Sequence, residues 1–381
     1  MPRRVFTYPG DMGWNALNMV STVGAFVLAT GIVIFTWDLV RPRGKQPPPS
    51  RNPCQAGTLE WSQDIPEEFW GARSVPYIST RYPLWQQSMV VVRMDAGRFY
   101  LADSIEGLRE TLVTSVIDAK PLHVLWVTGP AVITMLAAPF TCGAFIFPTF
   151  HWYTASVISG ILAVICICNW LWTSTAEIPI TQKMDVGLGL KLPAYVSGPI
   201  AVGWWGMFII MLADAEAFTS LIFGVFFYWT SGNDFPPPNA TLANTGLVVL
   251  AMVLLILSWL LTLAARQANR VGGKNRARNY LSIAPLIAAG GIYAFLESIR
   301  INELDPTSHV YPVVVWALVV WTIAHSVAGI VMQTYCALQL AFKRVDRHHD
   351  APLCNITIFW HFHAISVLAT AALIGLLPSL V

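Results

Sequence analysis

The sequence predicts an all-α integral membrane protein with eight transmembrane helices, one followed by a seven-helix bundle, with a polar inner linker between them. Three observations predict it. Of 381 residues, 55% are hydrophobic and only 12% charged, about half the charge of an ordinary soluble domain, which carries about 25%. The mean hydropathy is +0.56. The apolar residues form continuous runs rather than the alternation of a β-barrel. The same composition, with a net charge of +2, excludes disordered chains, collagen-like fibres, coiled coils and nucleic-acid-binding modules.

A hydrocarbon core of about 30 Å takes roughly 20 residues of helix. Eight runs qualify, at about 15–38, 124–149, 152–174, 198–229, 243–265, 279–299, 310–341 and 355–378. The first follows a polar stretch, Met1 to Gly10, and is too long for the apolar core of a signal peptide. The second contains Pro139, which a membrane helix tolerates. The fourth and seventh exceed a minimal span and are expected to tilt or protrude. If the chain begins on the outer face, 20 of its 23 Lys and Arg fall in inner segments, leaving Arg3, Arg4 and Arg300 outside. The positive-inside rule selects that orientation, so both termini are expected on the outer side. An outer N-terminus without a signal peptide leads us to expect further sequence before Met1.

Between the first two runs lies a long inner segment. It opens on Arg41-Pro42-Arg43-Gly44-Lys45-Gln46-Pro47-Pro48-Pro49, the composition of an extended, semi-rigid linker. Residues 88–101 read as a hairpin turning at Asp95-Ala96-Gly97, and 103–117 as an amphipathic helix. The six cysteines form no CxxC or zinc spacing and read as small buried residues.

Few residues carry chemistry. Arg3 and Arg4 are adjacent guanidiniums at a membrane boundary, suited to an anionic group, although position alone favours lipid-phosphate anchoring. Asp214 and Glu216 interrupt the fourth run, and ionisable residues inside a membrane are functional candidates by default. Two residues apart, they lie about 200° around a helix and cannot face one site together. A proton relay and an interhelical hydrogen bond are both open. Glu297 and Arg300 have salt-bridge spacing. His325 sits in the seventh run, and His361 and His363, at i and i+2, point to different helix faces. His348 and His349 read as a solvated basic loop. No HExxH, GxGxxG, phosphate-binding loop or GxSxG occurs.

Taken together, these residues resemble a haem-copper cytochrome oxidase at two places. MPRRVFTYP, one span beginning GWNALNMVSTVGAF, NPCQAGTLEW at 52–61 and Tyr82-Pro83-Leu84-Trp85 resemble the C-terminal end of subunit I, with Cys54 where that family usually has tryptophan. WWGMFIIMLADAEAF, GIYAFLESIRINE and FWHFHAISVLATAAL resemble subunit III. There Asp214 stands in for the family's buried glutamate, and His325 for one of its histidine pair. The resemblance implies three parts: 1–85, a subunit I C-terminal helix and tail; 86–122, a polar inner linker; and 123–381, a subunit III-like seven-helix domain.

It further implies that Arg3 and Arg4 contact the propionates of haem a, which reverses the lipid-anchoring preference. Asp214, Glu216, Glu297, His325 and His361 become proton- or lipid-related residues, beside a cleft holding phospholipid. No catalytic residue and no metal ligand is implied, because the family's haem and copper ligands lie on subunit I helices that this sequence lacks. The implied function is a non-catalytic membrane portion of an aa3-type proton-pumping oxidase. The implied setting is the bacterial inner membrane, beside the remainder of subunit I, subunit II and a cytochrome c or quinol donor. A free-standing transporter or channel, or an oxidase assembly factor, is the alternative. Against the transporter, no repeat pairs broken spans in two halves.

Overall fold

The computed structural model describes residues 12–41, 52–62, 74–102, 109–127, 131–174, 183–232, 235–237 and 242–376. They divide into two compact units, residues 1–72 with 78–91, and 73–77 with 92–381. The first unit contains α1 (Asn15–Val40), a 26-residue apolar helix with no buried residue. It also contains a short loop structure. Asn52 accepts from the backbone of Ala56 at 2.9 Å and donates back to its carbonyl at 2.8 Å. Trp85, at the end of α2 (Pro83–Gln86), donates to the Gln55 carbonyl at 2.8 Å and stacks on Tyr82. The two tail motifs of the sequence, NPCQAGTLEW and Tyr82–Trp85, thus form one local structure.

The segment from 88 to 117 differs from its sequence expectation twice. Val90–Asp95 is a helix, α3, rather than one arm of a hairpin. The turn at Ala96-Gly97 is present, but it closes this helix: Gly97 donates to the Met94 carbonyl and Arg98 to that of Arg93. Of the expected amphipathic helix at 103–117, residues 103–108 lie outside the described residues, and Arg109–Thr114 forms a strand, β1, antiparallel to β2 (Pro121–Val127). Thr111, Val113 and Thr114 are β-branched and fit a pleated surface better than a helix. The next membrane helix therefore begins at Ile133, not at 124.

A second hairpin, β3 (Lys183–Gly187) with β4 (Leu190–Pro193), joins the first around Leu101, Val124, Val186 and Leu192. Leu101 donates to the Val186 carbonyl at 2.9 Å. Gly187 has φ +102°, and a Cβ there would lie 2.8 Å from the Phe99 carbonyl oxygen, so only glycine serves this turn. Much of what reads as a polar linker is thus packed structure of the second unit.

The remaining helices are α4 (Ile133–Ile146), α5 (Tyr153–Ser174), α6 (Val202–Ser231), α7 (Thr245–Arg270), α8 (Lys274–Arg300), α9 (Val310–Ala341) and α10 (Ala351–Ala371). A 3₁₀ turn extends α4 to Phe150, and a π turn extends α10 to Leu376. With α1, eight helices among the described residues are long and apolar enough to cross a membrane. The architecture is all-α and membrane-integral. Helices α7 and α8 run past their apolar stretches, so Arg266, Arg270, Lys274, Arg276 and Arg278 ride on helix ends instead of forming a loop.

Helices α6 to α10 share the main core. Burying apolar surface drives helices together weakly in lipid, so close packing must hold them. The α7–α8 interface uses small residues for this: Ala251, Ala277, Ala284 and Ala288 are wholly buried. A Cβ on Gly291 would meet Leu255 Cγ at 2.8 Å. Polar cross-links add to it. Gln333 donates at 2.9 Å to both Ser258 and Thr262, and Ser258 donates on to the Ala284 carbonyl.

Helices α4 and α5 pair with each other, and Ser156 donates to the Ala144 carbonyl at 2.6 Å. Their clasp on the bundle is Trp172, which meets Tyr335 and Phe342 edge to face. The Arg344 guanidinium lies 4.6 Å from its ring and donates to its carbonyl.

Candidate functional site

The fourth run's two carboxylates separate as their spacing requires. On α6 the buried residues Met211, Phe218 and Val225 face the bundle. Asp214 lies beside that face and Glu216 on the exposed side. Asp214 Oδ2 is 3.4 Å from Nε2 of His325 on α9, with side-chain exposures of 33% and 15%, so the pair sits at the bundle's edge. Nδ1 of His325 lies 2.9 Å from the Trp321 carbonyl. A carbonyl has no proton, so Nδ1 is the donor there. Nε2 then faces the carboxyl. Trp321 stacks on the His325 ring at 4.4 Å, which fixes the ring plane.

A third helix completes the cluster. His363 of α10 is wholly buried and lies 6.3 Å from the His325 ring, nearly parallel to it. Its Nε2 is 2.9 Å from Ser326 Oγ. Ser326 spends its single proton on the Thr322 carbonyl, so His363 donates from Nε2, and its Nδ1 has no partner among the described residues. Thr322 likewise donates to the Leu318 carbonyl and lies 3.2 Å from Thr370 Oγ1. The Ser326 and Thr322 hydroxyls each end on a backbone carbonyl. This arm is therefore a polar clasp between α9 and α10, not a continuous proton wire.

The expected separation of His361 and His363 onto different helix faces holds, and it is His363, not the implied site residue His361, that joins this cluster. Leu353, Ile356, Trp360, His363 and Val367 recur every three or four residues along α10 and are buried, and His363 belongs to that stripe. His361 does not. It is exposed and meets Trp259 of α7 edge to face at 5.6 Å, away from Asp214. Glu297 is engaged by Arg300, whose Nε lies 3.1 and 3.0 Å from the two carboxylate oxygens and Nη2 2.9 Å from one. Arg3 and Arg4 lie outside the described residues.

His348 is exposed, as a solvated face requires, while His349 is half-buried, and both belong to a folded corner. Asp346 accepts from the backbone of both and from the His349 ring at 2.9 Å. Burial pushes the Asp346 carboxyl up, but these hydrogen bonds outweigh it and hold the group below its ordinary value. Asn269 donates to the Asp346 carbonyl, and Arg270 lies 3.7 Å from the nearly buried Asp350. The Tyr195 hydroxyl accepts from Ala351, and burial raises its pKa well above the ordinary phenol value.

The chain aligns over 282 residues, at 26% identity, with the heme-copper oxidase subunit I+III of Aeropyrum pernix, covering 68% of this chain and 32% of that protein. The chain is related to haem-copper oxidase subunits. Cytochrome c oxidase subunit 1 of Alkalihalophilus pseudofirmus is 31% identical over 90 residues, 23% of this chain and 14% of the relative. Quinol oxidase subunit 1 of Bacillus subtilis is 46% identical over 39 residues, 10% and 6% respectively. No family model matches. The chain spans about a third or less of the curated relatives it matches. The likeness thus has both subunit I and subunit I+III character.

That relationship implies haem, so the donors present need testing against it. Among the described residues, no three His, Cys, Asp or Glu gather as a metal site. His363 is committed to Ser326 through Nε2, and His325 has Asp214 and Trp321 at its two nitrogens. These imidazoles do not fit axial ligation of a haem.

Proposed function

We propose that this chain is the non-catalytic membrane portion of an aa3-type terminal respiratory oxidase, stabilising the subunit I core and supporting proton uptake. In this reading residues 1–85 complete subunit I, 86–122 lead inward, and 123–381 serve as a subunit III-like domain. Arg3 and Arg4 contact haem propionates from the C-terminal part of subunit I. The Asp214–His325 pair holds a proton at the edge of the α6–α9–α10 packing, and the flank between α4–α5 and the bundle takes phospholipid. The partners are the rest of subunit I, subunit II and a cytochrome c or quinol donor. The setting is a bacterial inner membrane with both termini periplasmic.

One observation carries the proposal: the I+III relative aligns with 68% of the chain, far more than a subunit I tail alone would span. The decisive experiment purifies the native complex through this chain and tests Arg3→Ala and Arg4→Ala in it. Co-purification of a haem-bearing subunit and a shifted haem spectrum or potential are expected, since a propionate loses a charged partner. Purified material without haem defeats the oxidase reading, and an unchanged spectrum and potential in both variants defeats the propionate contact.

A further inference from the structure

Two contacts join α6 to α9 around Asp214, and they come as a pair. Asp214 and Phe218 are four residues apart on α6, and Trp321 and His325 are four apart on α9. Residues at that spacing share a helix face, one turn apart. Asp214 meets His325 at 3.4 Å. Phe218 meets Trp321 with ring centroids 6.1 Å apart and planes 24° apart. The contacts are adjacent rungs between the two helices, one polar and one aromatic.

Trp321 constrains His325 in two ways. Its backbone carbonyl accepts from Nδ1 at 2.9 Å, and its ring stacks on the imidazole at 4.4 Å with 30° between the planes. A half-turn of the imidazole in its own plane would keep the stack but take Nδ1 off the carbonyl. A carbonyl oxygen accepts over a broad range of directions, so it tolerates a swing out of the stacked plane. The carbonyl therefore sets the sense of the ring, and the indole sets its plane. Phe359, Phe362 and His363 also surround His325, but at 6.3, 6.1 and 6.3 Å. Aromatic pairs attract over about 4.5–7 Å, so Trp321, at the near end of that range, dominates. The His325 side chain is 15% exposed, which leaves a swing toward the bundle's edge open once the stack is gone.

We infer that Trp321 and Phe218 are positioning residues for the Asp214–His325 pair: the indole holds the imidazole in the plane that keeps Nε2 on the carboxyl, and Phe218, on the carboxyl's own helix, holds the indole. The inference rests on the proposed reading of this pair as a proton holder, and names what keeps the pair formed.

Solid-state NMR of the full chain in phospholipid vesicles tests this, with nitrogen-15 in the histidine rings and carbon-13 in the aspartate carboxyls. The nitrogen–carbon dipolar coupling reports each Asp–His contact. Two such contacts occur among the described residues, Asp214–His325 and Asp346–His349, and the second reports an intact fold. Trp321→Leu should lower the ratio of His325 rings facing Asp214 to rings turned away by about two- to twelvefold, the weight of one aromatic pair. Phe218→Leu should lower it by less. Trp321→Phe should retain it, since the ring still stacks and the indole Nε1 has no partner to lose among the described residues. The Asp346–His349 coupling should stay in all three. An unchanged Asp214–His325 coupling in a folded Trp321→Leu overturns the inference. Should that variant lose the Asp346–His349 coupling as well, and so its fold, the other two decide: an unmoved Asp214–His325 coupling in Phe218→Leu, or a lost one in Trp321→Phe, overturns it. The measurement needs neither haem nor activity. It can therefore fail while the oxidase reading stands, and native material without haem would remove that reading while leaving the positioning intact.

Discussion

Gly329→Ala should loosen the packing that frames the Asp214–His325–His363 cluster. A Cβ at Gly329 would lie 2.7 Å from Trp360 Cζ2, 3.0 Å from Cε2 and 3.1 Å from Phe359 Cε1. Ordinary contact begins at 3.4 Å, so Trp360 must retreat by about 0.7 Å (3.4 − 2.7). It has no room, being fully buried with the His363 ring 5.3 Å away. Overpacking of this kind costs about 1–3 kcal/mol, and replacing glycine by alanine in a helix returns about 1 kcal/mol. The net loss is then up to about 2 kcal/mol, or a fall of up to about 8 °C in Tm for a domain of this size. Thermal unfolding of the detergent-solubilised protein, followed by tryptophan near-ultraviolet circular dichroism, measures it. Gly206→Ala is the internal comparison, since its Cβ meets open space and should be neutral or slightly stabilising. If Gly329→Ala unfolds at or above the temperature of Gly206→Ala, the packing argument is wrong.

Two further outcomes are expected. His123 is 1% exposed on β2, with neither ring nitrogen hydrogen-bonded among the described residues, and burial holds its pKa below the ordinary 6.5. The unfolded chain therefore binds the extra proton, stability falls as pH drops below about 6.5, and His123→Leu should remove that slope while gaining about 1–3 kcal/mol. Asp346 has a depressed folded pKa, so its contribution is complete above the ordinary value of 3.8 and is lost as pH falls through the folded value. Asp346→Asn should cost about 1–3 kcal/mol at pH 7, a difference that chemical denaturation should find closing in strong acid.

The membrane helices were legible because their signal is length and apolarity, which neighbours cannot mask. The separation of Asp214 from Glu216 was legible too, since helical geometry alone requires it. The short elements before β2 were not. VVVRMD carries β-branched residues yet forms a helix, and RETLVT forms a strand because PLHVLWV lies within pairing distance. Such six-residue segments are decided by partners, not by propensity. His325's bond to Asp214 joins residues 111 positions apart, which no spacing within one helix reveals. His363 could have been found from the buried stripe of α10. His361, in the same tetrapeptide, lies off that stripe.

The two small hairpins have a consequence for the helices they flank. Strand β2 leads into α4 and β4 follows α5, and the two meet through Val124 and Leu192. The polypeptide that enters the α4–α5 pair and the one that leaves it are thereby fastened at a single base. The α4–α5 pair is a closed loop, tied at its root by a few buried aliphatic side chains and leaning on the bundle through Trp172. Its two flanking strands are held together by that root. Such a pair is an exchangeable cassette, one that evolution or an engineer could lengthen, tilt or replace without disturbing the register of α6 to α10.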